Sequence, residues 1–272
     1  MKDLLTANFA ARRWALSPVP AMRVVNWNIE RGLRLPEIID FLESQNADLL
    51  ILQEVDLNAR RTRRLNIAKE IACRLGMNYV FGREFEELTQ GSRTSPAYHG
   101  QATLSRCRLS NPRVIRFRRQ SSFWRPRWFL PRTEPFQERL GGRIALVTEI
   151  EAAGRRLAVY NMHLESRGNN DLRLAQLQEV LQDAAKYAPQ SPTLLAGDLN
   201  FDASGVFRTS TFGFNSAVGL PSPHTTPRGL FQRQRAIDWA FLAGPIEATS
   251  GRVHNTVTAS DHYPISFTIK FS

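Results

Sequence analysis

Polar residues able to do chemistry recur in this chain at the ends of short apolar runs. The fullest case is Thr193-Leu194-Leu195-Ala196-Gly197-Asp198-Leu199-Asn200. A short apolar run with a β-branched start reads as a buried strand, and Gly197 lets the backbone turn. Residues two apart in extended chain face one side, so Asp198 and Asn200 are expected to meet while Leu199 packs away. A carboxylate beside an amide can orient water against a charged oxygen centre. The same grammar returns at Asn28 and Glu30, at Glu54, at Asn161 and His163, at Asp238, and at Asp261 and His262.

These groups are carboxylates, amides and two imidazoles, with no thiolate. Hard oxygen donors of this kind suit Mg²⁺ or Mn²⁺, which keep several waters and need only one or two carboxylates. No His-Glu-x-x-His or cysteine-rich cluster supports structural zinc. Each residue alone has a plain alternative. Asp, Asn and Gly are ordinary turn residues, a carboxylate can cap a helix or strand, Asp238 can pair with an arginine, and a lone histidine is more often structural. The weight rests on the ordered set.

The elements that must position these groups follow from periodicity. Strands are expected at 23–27, 48–52, 78–81, 100–105, 143–150, 157–162, 193–196, 236–242 and 265–271. Helical spacing of apolar residues marks 35–44, 66–75 (stopped by Gly76) and 171–187. Residues 82–98 and 204–235 read as polar loops, and Ala153-Gly154 as a hairpin turn. The run Asp48 to Leu52 is apolar on both faces, which implies a sheet covered on both sides. Glu54 therefore leaves buried structure, where a lone carboxylate is costly unless something positive meets it. In α/β sheets, function gathers where strand ends and loops converge.

The chain has 272 residues, 42% of them hydrophobic, which fits one large α/β domain with a sizeable core. No apolar run reaches the ~20 residues that span a bilayer. The first 20 residues carry Lys2, Arg12 and Arg13 without a continuous apolar core, so they read as an N-terminal extension forming an extra helix rather than a secretory signal. Cys73 and Cys107 lack any paired spacing, which points to a reducing cytoplasm.

Charge is the most unusual property: the net value is +11, carried by 32 arginines and 4 lysines. Arginine binds phosphate bidentately and stacks on bases, which suits a polyanionic partner; the plain alternative is a genome biased towards arginine codons. Between 113 and 132 seven arginines interleave with Phe117, Phe123, Trp124, Trp128 and Phe129. This mixture suits single-stranded nucleic acid or an anionic lipid surface. Its plain alternative is a hairpin whose aromatics pack on the core while arginines reach for water. Arg125, Arg127, Trp124, Trp128 and the more distant Arg143 are the candidate substrate contacts.

Taken in order, WNIERG, LQE, GQATLSR, NMHL, GDLN, AIDWAFL and SDHYP resemble the endonuclease/exonuclease/phosphatase superfamily, the deoxyribonuclease I-like fold, in a bacterial-type member. The likeness runs from about Val24 to Phe271. It implies a four-layer α/β sandwich, two mixed β-sheets face to face with helices outside, as a single catalytic domain over 21–272. It further implies that Glu54 is the principal Mg²⁺ ligand, with Asn28, Glu30 and Asp261 on the metal side. Asp198 would orient or deprotonate the attacking water, and Asn200 would hold a phosphate oxygen. His262 would contact the scissile phosphate with Asp238 fixing its tautomer, and His163 would help stabilise the developing charge.

The implied activity is Mg²⁺-dependent phosphodiester hydrolysis by in-line attack of water. The superfamily spans nucleases, deadenylases, abasic-site endonucleases, tyrosyl-DNA phosphodiesterases, inositol phosphatases and sphingomyelinases, and the shared motifs do not separate them. The basic charge favours a nuclease or related DNA/RNA phosphodiesterase with a nucleic-acid partner. A sphingomyelinase or phospholipase C-like enzyme on membrane lipid is the runner-up, followed by a small phosphoester phosphatase. A non-catalytic binding module is the alternative of a different class, and no protein partner is evident.

Overall fold

The computed structural model describes residues 3–10, 21–124, 129, 139–152, 154–187, 191–208, 213–219, 223–227 and 233–272. Its strands form two sheets. In the larger sheet the order runs β1 (Leu4–Ala7), β4 (Asn78–Glu87), β5 (Tyr98–Ser105), β3 (Leu49–Leu57), β2 (Ala21–Arg31), β14 (Ile265–Phe271) and β13 (Ile246–Val253), while β7 (Arg139–Gly141) pairs with the far end of β4. The smaller has the order β11 (Asn215–Ser216), β12 (Asp238–Ala243), β10 (Thr193–Asp198), β9 (Arg155–His163), β8 (Ile144–Ala152) and β6 (Leu109–Arg116). Among the described residues only β2–β3 and β9–β10 pair in parallel, so the sheets are mixed.

Three apolar clusters define the layers. Helices α1 (Leu35–Gln45) and α2 (Ile67–Leu75) set Ile38, Leu42, Ile67 and Ile71 against Trp27, Leu50 and Leu52 of the larger sheet. Helix α3 (Asn170–Ala184) covers the outer face of the smaller sheet with Leu177, Val180 and Leu181. Between the sheets lie Met22, Val24, Leu49, Ile51, Val159, Leu194, Ala240 and Phe267. Alternate residues of the sheet strands thus enter different clusters, as the pleat requires. This is the expected four-layer sandwich.

Local chemistry explains the helix boundaries. Asn66 accepts the Lys69 N–H at the start of α2 (3.0 Å) and Gly76 ends it at φ +62°, a left-handed cap. Asn169 caps α3 through the Leu172 N–H at 3.1 Å.

Towards one rim the space between the sheets turns polar. The Gln53 side chain donates to the side-chain oxygens of Asn161 (2.8 Å) and Asn26 (3.0 Å). Asn161, from the smaller sheet, donates to the carbonyls of Leu52 and Ala102 in the larger, each at 3.0 Å. Gln101 similarly donates to Ile144 O (2.9 Å) and to Glu84 (3.1 Å). All four amide side chains are fully buried. Asn161, expected at the rim beside His163, therefore serves as a joint between the sheets.

Three further differences from the periodicity reading are physical. Residues 4–7 form edge strand β1 on β4 where an N-terminal helix was expected; residues 11–20 lie outside the described residues. Strand β4 runs on to Glu87 through the expected polar loop, because its polar side chains face an ionic interior described below. Strands β6 and β13 are rich in polar residues, exposed or half-buried along most of their length, and carry no clean alternation.

Asn161→Ala is expected to take one acceptor from the Gln53 amide, which keeps Asn26, and to remove the side-chain donor from two carbonyls in a dry space. Each such group costs about 1–3 kcal/mol, so urea denaturation should show a loss of about 3 kcal/mol. A loss below about 1 kcal/mol would remove the joint from the account.

Candidate functional site

The polar groups at the strand ends converge on the rim above this amide joint. Asp198 is the last residue of β10, lying in register beside His163 on β9 and Asp238 on β12. Parallel β9–β10 pairing and antiparallel β10–β12 pairing thus place three titratable side chains in one row. Gly197 makes the row possible. Its φ is +147°, and a Cβ there would sit 1.9 Å from the Met162 carbonyl oxygen, so only glycine fits.

Asp198 and Asn200 do meet, but through a turn rather than the pleat. Strand β10 ends at Asp198, whose Oδ1 accepts the Asn200 N–H at 2.9 Å, with Asn200 at φ +59°. Asn28 and Glu30 repeat the device: the Asn28 Oδ1 accepts the Glu30 N–H at 3.1 Å, with Glu30 at φ +45°. In both, a short amide or carboxylate side chain stabilises a turn two residues on.

Glu54 reaches the rim by a bulge. The β2–β3 register shifts between Asn28 and Arg31, and the β3–β5 register between Leu52 and Val55. Glu54 has φ +52°, and Arg31 has φ +65°. Bulges re-aim side chains at sheet rims, and left-handed backbone at non-glycine residues is strain that the surrounding structure must hold.

Asp198 lies at the centre of the site. Its Oδ2 accepts from the Asn28 Nδ2 at 3.2 Å and faces the Nε2 atoms of His163 at 3.5 Å and His262 at 3.8 Å. Behind His262, the Asp238 Oδ2 holds the Nδ1 at 2.8 Å. The loop carrying His262 is pinned to β2: Trp27 Nε1 donates to His262 O at 2.8 Å, and Ser260 Oγ to Asn28 O at 2.7 Å. Buried Thr225 accepts the N–H groups of Ile237 and Asp238, each at 3.1 Å, which fixes the start of β12.

His163 is held from below. Arg143 Nη1 lies 2.7 Å and Glu84 Oε1 3.3 Å from its Nδ1, while its Nε2 faces Asp198. Arg143 is itself fixed by Glu84 at 2.8 Å and by Ser166 Oγ at 3.1 Å. Burial would raise the Glu84 carboxyl, but Arg143 and His163 bring it down to about 2.

The carboxyl groups divide by environment. Burial would also raise Glu54; in the acid range where it titrates, the charges of His99, His163, Arg31 and Arg143 override this and hold it far below the usual range. Glu30 is pushed up by burial and by Asp261. Asp261 is pushed up by burial, with Glu54 and Asp198 adding to it against His262. Burial would lower His262, but Asp238 and Asp198 overrule it and raise the imidazole well above its ordinary value.

Two groups of donors invite a cation. Asp198, Asp238 and His262 have ligand atoms within 4.8 Å of one another, yet there the imidazolium already supplies the positive charge. On the other side, Glu54, Glu30 and Asp261 repel one another beside the Asn28 amide oxygen. Among the described residues no hydrogen bond reaches the Glu54 carboxylate. An ionised carboxylate without a donor, among neighbours driven towards protonation, fits a hard divalent cation.

Several contributors were not singled out from sequence. Glu84 lies in the stretch read as a loop, although Tyr79, Phe81 and Phe85 at even spacing carry a strand signal across it. Arg235 donates to Asn200 O at 2.7 Å and, with Asn200, Asp261 and His262, lines a cleft of about 380 Å³. Thr225 and Ser260 carried no signal, since their work is to hold backbone.

Two of the candidate substrate contacts are buried. Trp124 is 2% exposed, packed on Phe85 and donating its indole N–H to Glu165 at 2.7 Å. Arg143 is 3% exposed and lies under His163. Neither offers its side chain to a macromolecular substrate; Trp124 follows the plain alternative of packing on the core. Arg125, Arg127 and Trp128 lie outside the described residues.

The two-sheet sandwich with its site on one rim is the deoxyribonuclease I-like fold. The sequence pattern of the Endonuclease/Exonuclease/phosphatase family matches residues 25–262, and the chain belongs to that family. Among solved structures, it is similar to an endonuclease/exonuclease/phosphatase from Beutenbergia cavernae, with 18% identity and TM-score 0.66 over 93% of this chain and 72% of that one. It is also similar to the human Nocturnin catalytic domain with bound sulfate anion, with 20% identity and TM-score 0.66 over 99% and 97% of the two chains. A humanized D. rerio TDP2 with 14 mutations gives 18% identity and TM-score 0.64 over 93% and 100%. A search of curated proteins finds no match. Among the described residues, no helix is long and apolar enough to cross a membrane.

The His262 geometry predicts a pH signature in metal-free protein. A raised imidazole contributes stability below its unfolded value near 6.5 and loses it as pH rises through the folded value. In Asp238→Asn the His262 resonance should titrate at least about one pH unit lower than in wild type. An unmoved titration would separate the two groups.

Proposed function

We propose that this chain is a divalent-metal-dependent phosphodiester hydrolase acting on nucleic acid, with its catalytic unit at residues 21–272. The observation that carries the reading is the position of Asp198. Its carboxylate lies between two imidazole Nε2 atoms and is tied through Asn28 to the oxygen-rich group around Glu54. Water activation, charge stabilisation and cation binding thus have separate residues within one small space.

Glu54, with Asn28, Glu30 and Asp261, would hold Mg²⁺ or Mn²⁺, which supplies positive charge to the non-bridging phosphate oxygens. Asp198 accepts the proton of the attacking water and aims its oxygen at phosphorus. The P–O bond in line with it breaks without a covalent enzyme intermediate. His262, kept cationic by Asp238, donates from Nε2 to the scissile phosphate. His163, held from below by Arg143 and Glu84, stabilises the oxygen on which charge develops. Asn200 commits one amide hydrogen to Leu164 O at 3.2 Å and keeps the other for a phosphate oxygen.

The arginine-rich charge supports a polyanionic substrate. Trp124 is sealed in the core and offers nothing to a membrane, whereas Phe129 of the same stretch is exposed.

The test is hydrolysis of single-stranded DNA, duplex DNA, RNA and sphingomyelin vesicles, with Mg²⁺ and with EDTA. Nucleic acid should be cleaved only with Mg²⁺, and Asp198→Ala and His262→Ala should each lose about 10²–10⁴-fold in kcat. Ordinary activity in EDTA or in Glu54→Ala would overturn the metal assignment. Cleavage of lipid alone would overturn the substrate.

A further inference from the structure

Beyond Glu54 the chain enters a loop whose construction the reaction does not use. Residues 58–66 close on themselves: Asn58 N donates to Leu65 O at 2.9 Å, and Leu57 bridges to Asn66. A second loop, 88–97, is bolted to the first. Arg60 N donates to Gln90 O at 3.0 Å, Arg61 N to Gln90 Oε1 at 3.1 Å, and Asn58 Nδ2 to Ser95 Oγ at 2.8 Å and Pro96 O at 2.9 Å. Beneath them, Arg61 makes a bidentate pair with Asp56 (2.7 and 2.9 Å) and reaches Glu87 at 2.9 Å. The carboxyl groups of Asp56 and Glu87 are fully buried.

This clamp presents cations to solvent. Arg60, Arg63, Arg64 and Arg93 are all exposed, and among the described residues no carboxylate pairs with Arg63, Arg64 or Arg93. Arg63 and Arg64 lie at φ +55° and +58°, left-handed backbone that an arginine adopts only when its surroundings impose it. Without another role, four cations on a strained and rigid support are a cost in self-repulsion. The loop tips expose only cations and the hydroxyl residues Ser92 and Thr94, with no apolar side chain to enter a bilayer. Proximity to the rim follows from the fold: the first loop continues β3 past Glu54, and Gly32, two residues after Glu30, abuts Ile67 at the start of α2.

We propose that these clamped loops form a phosphate-binding shelf that holds the backbone of a nucleic-acid strand beyond the cleaved bond, on the Glu54 side of the site. The inference rests on the nucleic-acid reading above and deepens it. Arginine forks match phosphate oxygens bidentately, and a support ordered in advance loses little entropy on binding. Such contacts hold any sequence, since backbone phosphates carry no base information.

The test compares wild type with Arg60→Gln/Arg63→Gln/Arg64→Gln/Arg93→Gln, and with Arg60→Gln/Arg93→Gln, which leaves the left-handed positions untouched. A fluorescent single-stranded oligonucleotide is bound in EDTA over a salt series, bis(p-nitrophenyl) phosphate is hydrolysed with Mg²⁺, and anionic phosphatidylserine vesicles are bound in parallel. The shelf predicts at least a tenfold weaker Kd for the oligonucleotide in the quadruple variant and a smaller loss in the double. The slope of log affinity against log salt should shrink by about three in the quadruple variant, near 0.7 for each phosphate no longer neutralised. The kcat/KM for the small diester should stay within twofold. If wild type binds the oligonucleotide and both variants bind it equally well, the shelf is overturned and the nucleic-acid reading stands. If wild type hydrolyses the small diester but binds no oligonucleotide, both fall. Vesicle binding lost in the variants with oligonucleotide binding intact would assign the loops to a membrane and overturn the shelf.

Discussion

The contact between Gln53 and Asn161 is the constraint on which the site depends. A charged rim needs polar surroundings, whereas a two-sheet sandwich needs an apolar seam. The amide layer of Asn26, Gln53, Asn161 and Gln101 reconciles these demands by bonding one sheet to the other just below the charges. Amides suit the place because they satisfy backbone carbonyls and one another without carrying charge into the core. Above them the carboxylates and imidazoles can be buried and still be partnered.

From that base, the site divides into halves of opposite electrostatic logic. Around His262, carboxylates create and hold a cation. Around Glu54, cations keep one carboxylate ionised while its neighbours Glu30 and Asp261 are driven towards protonation. Asp198 touches both halves through Asn28 and His262, so its electrostatic state reports on both. The chain separates acid-like and base-like tasks by position rather than by residue type.

Much of this was legible in the sequence because apolar runs announce strands and polar residues at their ends announce a rim. Leu49 to Leu52 and Leu194 to Ala196 appeared where expected, and Asp198, His163, Asp238 and His262 do converge. The geometry of approach was not legible. Asp198 and Asn200 meet through a side-chain turn, and Glu54 arrives on a bulge at positive φ, features that alternation cannot encode. Glu84 and Arg143 were misread for a related reason. Composition assigns charged residues to solvent, and only the long-range ion pair between Glu84 on β4 and Arg143, just before β8 in the facing sheet, shows that their charges are spent on each other inside the protein. Trp124 was subject to the converse error, since an aromatic among arginines looks exposed until Glu165 is found under its N–H.

The edge strand formed by Leu4–Ala7 carries a consequence unrelated to chemistry. It pairs with Tyr79–Gly82 of β4 and is tied down by the Asp3–Arg83 ion pair at 2.9 Å. Without it, the row of N–H and C=O groups along Tyr79-Val80-Phe81-Gly82 would face water as an open, largely apolar edge. Such an edge is a template for another copy of the same strand. These few residues, distant in sequence from every group at the site, thus act as a guard against self-association, and a clipped chain could keep its chemistry while losing its colloidal stability.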